Sequence, residues 1–245
     1  MPRPRVRLRQ RRTRRPAEAV RWYRGAADLG NSNAINNLGM CYCCGQGVAQ
    51  DYSRGLHWYQ QAADLDNVEA MANVAVCYEN GLGVAPDAVQ VAYWHRRAAD
   101  LGNATAMRCL GTCYALGKGV AQDPVQAHAW FHRVADLGDV TAMCNLGTGY
   151  CHIAPPDYDQ AAHWFRRAAD LGNATAMLNL GSLYHQGSGV SQNFTRAVRW
   201  FRRAADLGQE AAMIKLAECH ERGEGARQGS VQAAQWRARA VSAQR

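Results

Sequence analysis

Tryptophan recurs at Trp22, Trp58, Trp94, Trp130, Trp164, Trp200 and Trp236, at intervals of 36, 36, 36, 34, 36 and 36 residues, and none lies off this grid. A fixed period of this length marks an array of one repeated supersecondary unit, whose copies bury their apolar faces only by stacking on one another. The spacing therefore predicts an all-α chain of helical hairpins and excludes a sheet-based fold. No run approaches the roughly 18 consecutive apolar residues that a membrane-spanning helix needs.

The unit is best read from residues 174–208. Its first half places Ala176, Met177, Leu180, Gly181, Leu183 and Tyr184 on one arc at 100° per residue, which is an amphipathic helix, here called A. A Gly-x-Gly-Val loop breaks it, because glycine supplies backbone angles that other residues resist. Asp51, Asp87, Asp123, Asp157 or Asn193 then opens a second helix, B, which carries the tryptophan. Asp87 with Gln90 and Asp123 with Gln126 read as capping boxes, and Pro124 suits a first helical position. Gly30, Gly102, Gly138, Gly172 and Gly208 end the B helices. Arg24, Arg96, Arg166 and Arg202 each stand four residues before an aspartate (Asp28, Asp100, Asp170 and Asp206), spacing that predicts ion pairs on the B-helix surface. In helix A, Gly39, Gly111, Gly147 and Gly181 follow the key leucine. Glycine costs about 1 kcal/mol inside a helix, so this position needs its space for a neighbouring helix.

Six A helices and seven B helices result. The organisation expected is an Arg-rich disordered leader over 1–16, then a single array over 17–245. The array comprises an orphan B helix (17–30) and A–B units at about 33–66, 69–102, 105–138, 141–172, 174–208 and 210–243. The orphan should leave part of the Trp22 face uncovered, a surface that could support a weak dimer, with a monomer as the alternative. The net charge of +8 comes from the leader, whose Arg3, Arg5, Arg7, Arg9, Arg11, Arg12, Arg14 and Arg15 meet no acid, while the remainder is neutral. Such a tail could bind nucleic acid or direct nuclear import.

The pattern Ala106, Leu110, Gly111, Tyr114, Gly117, Gly119, Val120, Asp123, Ala127, Trp130 resembles the Sel-1-like repeat family over about residues 17–243. The resemblance implies a tetratricopeptide-like, right-handed α-solenoid of antiparallel helix pairs with 36-residue repeats. It also implies a non-enzymatic adaptor or signalling scaffold that binds a protein or peptide in a concave groove lined by A helices. Some relatives are linked to β-lactam binding, which makes a hydrolase-like activity a further alternative. The fourth unit departs from the pattern: it is two residues shorter and reads Cys151-His152-Ile153-Ala154-Pro155-Pro156-Asp157 in place of the glycine loop. The paired cysteines of some relatives are alanines here, such as Ala63 and Ala99, so that disulfide scheme does not transfer.

The nine cysteines all fall on A helices, and Cys41, Cys77, Cys113 and Cys219 share one buried register. Equivalent residues one helix layer apart stand about 9–10 Å from each other, too far for a disulfide. Free thiols, and hence a reducing compartment such as the cytoplasm, are expected. Cys41-Tyr42-Cys43-Cys44 lacks a second pair at finger-like spacing. His128, His132 and Asp136 read as a solvated helix face rather than a metal half-site. No metal, cofactor or catalytic residue is expected.

The polar arc of the A helices is the expected binding surface. One register carries Asn37, Asn73, Asn145 and Asn179, with Lys215 completing it in the last unit; three residues later come Thr112, Thr148 and Ser182. Asparagine offers both donor and acceptor groups and can pair with an extended peptide backbone. Arg108, His185 and Lys215 would add a preference for anionic partners.

Overall fold

The computed structural model describes residues 16–243; the arginines of the leader lie outside them. Among the described residues every regular element is a helix of 13 residues, and there is no strand. They fall into two compact units, Met1–Gln122 and Asp123–Arg245. The first holds α1 (Pro16–Asp28), α2 (Ser32–Cys44), α3 (Tyr52–Asp64), α4 (Val68–Asn80), α5 (Ala88–Asp100) and α6 (Ala104–Leu116). The second holds α7 (Pro124–Asp136), α8 (Val140–His152), α9 (Tyr158–Asp170), α10 (Ala174–Gln186), α11 (Phe194–Asp206), α12 (Glu210–Arg222) and α13 (Ser230–Ser242). Even-numbered helices are of type A and odd-numbered helices of type B. Within each unit, consecutive helices pack on one another.

Local chemistry sets the helix ends. Asn31, Asn67, Asn103, Asp139 and Asn173 cap A helices by accepting a hydrogen bond from the amide three residues on. Asp51, Asp87, Asp123, Asp157 and Asn193 do the same for B helices. The capping boxes form only by half. The Asp87 amide donates to the Tyr78 carbonyl at 3.1 Å, so Gln90 has no backbone donor to reach back for. The same bond recurs from Asp51 to Tyr42, Asp157 to Tyr150 and Asn193 to Tyr184, and in these hairpins it clasps the A helix to the B helix that follows. At the end of α3, Asp66 takes the left-handed conformation (φ 56°) that glycine adopts after α5, α7, α9 and α11.

The predicted close approach is real, and its cause is an aromatic ring. In α2–α3, α8–α9 and α10–α11 the ring of the residue after the tryptophan lies against the A-helix glycine of the same pair. A methyl group added to Gly147 would stand 2.6 Å from the Phe165 ring, on Gly181 2.6 Å from the Phe201 ring, and on Gly39 2.7 Å from the Tyr59 ring. Phe165 and Phe201 are 2% and 1% exposed. Where neither phenylalanine nor tyrosine follows the tryptophan the glycine is absent too: Ala75 stands opposite His95 in sequence register, and Ala217 opposite Arg237.

The loop glycines hold successive repeats together. The first ends helix A in the left-handed conformation; the second touches the start of the preceding B helix. Gly83 lies against the backbone of Tyr52 and Ser53, Gly189 against Tyr158 and Gly225 against Phe194, so close that no Cβ fits. Ser53 Oγ donates to the Gly83 carbonyl at 3.1 Å.

The tryptophans sort by position. Trp22, on the orphan helix α1, is 74% exposed, whereas Trp94, Trp130 and Trp164 are buried. Trp58 packs on a cluster of Val20 from α1 and Leu38 and Tyr42 from α2. Arg133, Arg167 and Arg203 lie 4.5–4.6 Å over the rings of Trp130, Trp164 and Trp200. The expected arginine–aspartate pairs within B helices give way to contacts between helices. Arg24 and Arg166 donate to the hydroxyls of Tyr42 and Tyr184, and Arg96 lies over the Tyr114 ring. A phenolic hydroxyl on the next helix is a fixed partner, whereas a pair on an exposed helix face contributes only about 0.3–0.5 kcal/mol.

Replacing Gly181 with alanine would gain about 1 kcal/mol of helix propensity and force the Phe201 ring aside. Overpacking of this kind costs about 1–3 kcal/mol, so the expected result is a net loss of stability in urea unfolding. The same change at Gly25, which has open space around its Cβ position, should stabilise.

Candidate functional site

The predicted row on the A helices divides by what each group already does. Asn37, Asn145 and Asn179 are half-buried, and their side chains make no hydrogen bond to another described residue. Asn73 is committed: its Nδ2 donates to Oδ1 of the buried Asn36 at 2.9 Å and ties α4 to α2. Thr112, Thr148 and Ser182 turn their hydroxyls back to carbonyls of their own helices, those of Arg108, Cys144 and Leu178. Each hydroxyl keeps its lone pairs for an incoming donor. Lys215 pairs with Glu218 at 3.0 Å, and His185 Nε2 lies 2.8 Å from Glu224, so both side chains are already partnered within the unit.

Arg108 and Thr112 line an open cleft of about 530 Å³ in the first unit. Its walls are the end of α4 (Tyr78, Glu79), the start of α5 (Ala88, Val91, His95) and one face of α6 (Arg108, Cys109, Thr112, Cys113, Leu116), with Pro86, Asp87 and Lys118 at the loops. The cleft follows from two exchanges that are visible only when the repeats are aligned. Ala88 stands where other B helices begin with Tyr52, Tyr158 or Phe194, and His95 stands where others carry Tyr59, Phe131, Phe165 or Phe201. In α10–α11 the Phe194 ring packs edge-on to His185, with centroids 5.0 Å apart; in α4–α5 the corresponding positions hold Glu79 and Ala88.

Burial holds the His95 imidazole below its ordinary pKa; Glu79 partly offsets this and Arg108 adds to it. Its Nδ1 is buried with no protein partner. The Cys113 thiol is pushed up, first by burial and then by Cys109.

One cluster escaped sequence reasoning. Cys43 of α2 lies beside Tyr59 of α3 and Cys77 of α4. Comparing equivalent cysteines misses it, because these thiols are offset in register. Burial raises Cys77, Cys144 and Cys219 to about 11, and none of the nine cysteines is joined in a disulfide. The solvated face expected for His128 and His132 is instead a half-buried stack. His128 lies edge-on to Tyr150 at 4.4 Å, and His132 Nε2 is 3.2 Å from the Tyr150 hydroxyl and its ring 5.1 Å from Trp164. Burial and His132 lower the pKa of His128. Among the described residues no three His, Cys, Asp or Glu side chains assemble into a metal-holding group, and no helix is long and apolar enough to cross a membrane.

Stacked helical hairpins with a polar A-helix face and a cleft between hairpins define a helical-repeat scaffold. The chain belongs to the Sel1 repeat family, whose model matches residues 13–31, 32–67, 68–103, 104–139, 140–173, 174–209 and 210–243. Proteins of this family generally serve as protein–protein interaction scaffolds. A comparison with curated proteins gives no match.

Among solved structures, a protective antigen of uropathogenic Escherichia coli strains displaying an SLR fold is 30% identical, with a TM-score of 0.82 over 93% of this chain. This chain spans about half (49%) of the length of that antigen. A Sel1 repeat protein from Oxalobacter formigenes is 29% identical, with a TM-score of 0.74 over 93% of this chain and 94% of its own. An immunity protein from Pseudomonas aeruginosa, 18% identical with a TM-score of 0.52 over 92% of this chain and 81% of its own, shares the fold alone. These likenesses support the α-solenoid class.

The thiols should separate by environment. With iodoacetamide at pH 8, mass spectrometry should find the exposed Cys44 modified first, and Cys77, Cys144 and Cys219 protected until the chain is unfolded.

The histidines set a pH response. The folded-state pKa of His95 and His128 lies below the unfolded value of about 6.5, so the unfolded chain binds more protons as pH falls. Their contribution is intact above that value and is lost as pH drops through it. The urea midpoint should therefore fall between pH 7.5 and 5.5, and by less in His95→Gln/His128→Gln.

Proposed function

We propose that this chain is a non-enzymatic adaptor that binds a protein or peptide segment along the polar face of its A helices. The observation that carries the reading is the cleft beside α6, because it adjoins Arg108 and Thr112 of the predicted row. Asn37, Asn145 and Asn179 add support: their amide groups make no hydrogen bond to other described residues and can pair with the backbone of an extended chain. Against a hydrolytic role, Cys113, one of the two cysteines that line the cleft with His95, has its thiol pKa raised, whereas a nucleophilic cysteine needs it lowered.

The test is affinity capture with quantitative mass spectrometry, followed by titration of the captured partner. Replacing Asn37, Asn145 and Asn179 together with alanine should weaken the partner about tenfold or more, at roughly 0.5–1.5 kcal/mol per lost hydrogen bond, with the thermal midpoint unchanged. Unchanged affinity in this folded triple variant would overturn the reading.

A further inference from the structure

We infer that the cleft between α4, α5 and α6 is a socket for an aromatic side chain flanked by a carboxylate on the bound segment. The inference rests on the adaptor reading and names the chemistry of one subsite. Its ground is the missing ring. Three B helices begin with an aromatic residue, and where Phe194 does so its ring lies 5.0 Å from His185. Ala88 supplies no such ring, and the opening it leaves is part of a cleft of about 530 Å³. A ring brought by a partner would fill the place that Phe194 fills from within in α10–α11. The surroundings suit it: Tyr78, Val91 and Leu116 offer apolar surface, and Cys109 and Cys113 offer polarisable sulfur.

Charge sets the second part of the preference. Two cations, Arg108 and Lys118, and two carboxylates, those of Glu79 and Asp87, border the cleft. The Asp87 carboxylate is occupied, since it accepts from the amides of Val89 and Gln90 at 2.9 and 3.1 Å. Glu79 stands beside His95, whose protonation it favours. The exposed Lys118, on the loop after α6, offers an incoming carboxylate an ammonium group at the rim. A carboxylate accepting a hydrogen bond from an ammonium group makes the stronger, charge-assisted kind of contact.

The probe is 3-phenylpropionate, compared with 3-phenylpropylamine, each titrated into the ¹⁵N-labelled full chain and read by amide shifts. The acid should shift the amides of Ala88, Thr112 and Lys118 and bind more tightly than the amine. Lys118→Gln should weaken the acid about tenfold. Ala88→Phe, which copies the residue at position 194, should abolish binding with an unchanged circular dichroism spectrum. If that variant fails to fold, the comparison of acid with amine on the unaltered chain and Lys118→Gln decide the matter. Equal binding of acid and amine, no binding of the acid, or retained binding in folded Ala88→Phe would overturn the inference. The two readings also fail separately. A captured partner that tolerates Ala88→Phe but not the triple asparagine variant removes the socket and leaves the adaptor; a partner indifferent to both removes the adaptor reading.

Discussion

The architecture depends on one contact, an aromatic ring laid on a glycine. A 13-residue helix is too short to be stable alone in water, and each A helix is made of small and mid-sized residues that need a partner within reach. Gly147 and Gly181 let the B helix approach until the rings of Phe165 and Phe201 are excluded from water. Burying a ring of this size is worth roughly 1.5–3 kcal/mol, which outweighs the helix propensity given up at the glycine. The remaining features of each hairpin fit around that contact. In four hairpins the cap residue donates its amide to the A-helix tyrosine carbonyl, and in the glycine loops the second glycine rests on the preceding B helix.

This economy explains which polar groups remain for binding. Stacking repeats brings donors and acceptors together at every interface, and most are consumed there. Asn73 reaches Asn36, Arg24 and Arg166 reach tyrosine hydroxyls, and His185 reaches Glu224. The asparagine register therefore does not act as a uniform row. Three of its members are open to a partner, and the fourth holds two A helices in place.

Much of the fold was legible because it is repeated. The tryptophan grid, the glycine that follows the key leucine and the cap residues each occur several times, so a single copy can be checked against the others. What escaped were relations between copies. The offset of Cys43 and Cys77, the capture of Asn73 by Asn36 and the stacking of His128 on Tyr150 depend on which side chains face each other across a helix interface, and a linear period does not contain that information. The cleft lies between these cases. Its cause, alanine at 88 and histidine at 95, is written in the sequence, but only the packed hairpins show that no neighbouring side chain closes the gap.

Since α2–α3, α8–α9 and α10–α11 each bring rings of their own, a ring can be dropped from one without disturbing the closure of the next. Molecular recognition in such a chain thus becomes locally editable: trimming Tyr52, Tyr158 or Phe194 to alanine would carve a comparable recess elsewhere, and refilling position 88 would erase the present one. Divergent specificities could arise by exchanging single side chains, with the backbone serving unchanged as a mould.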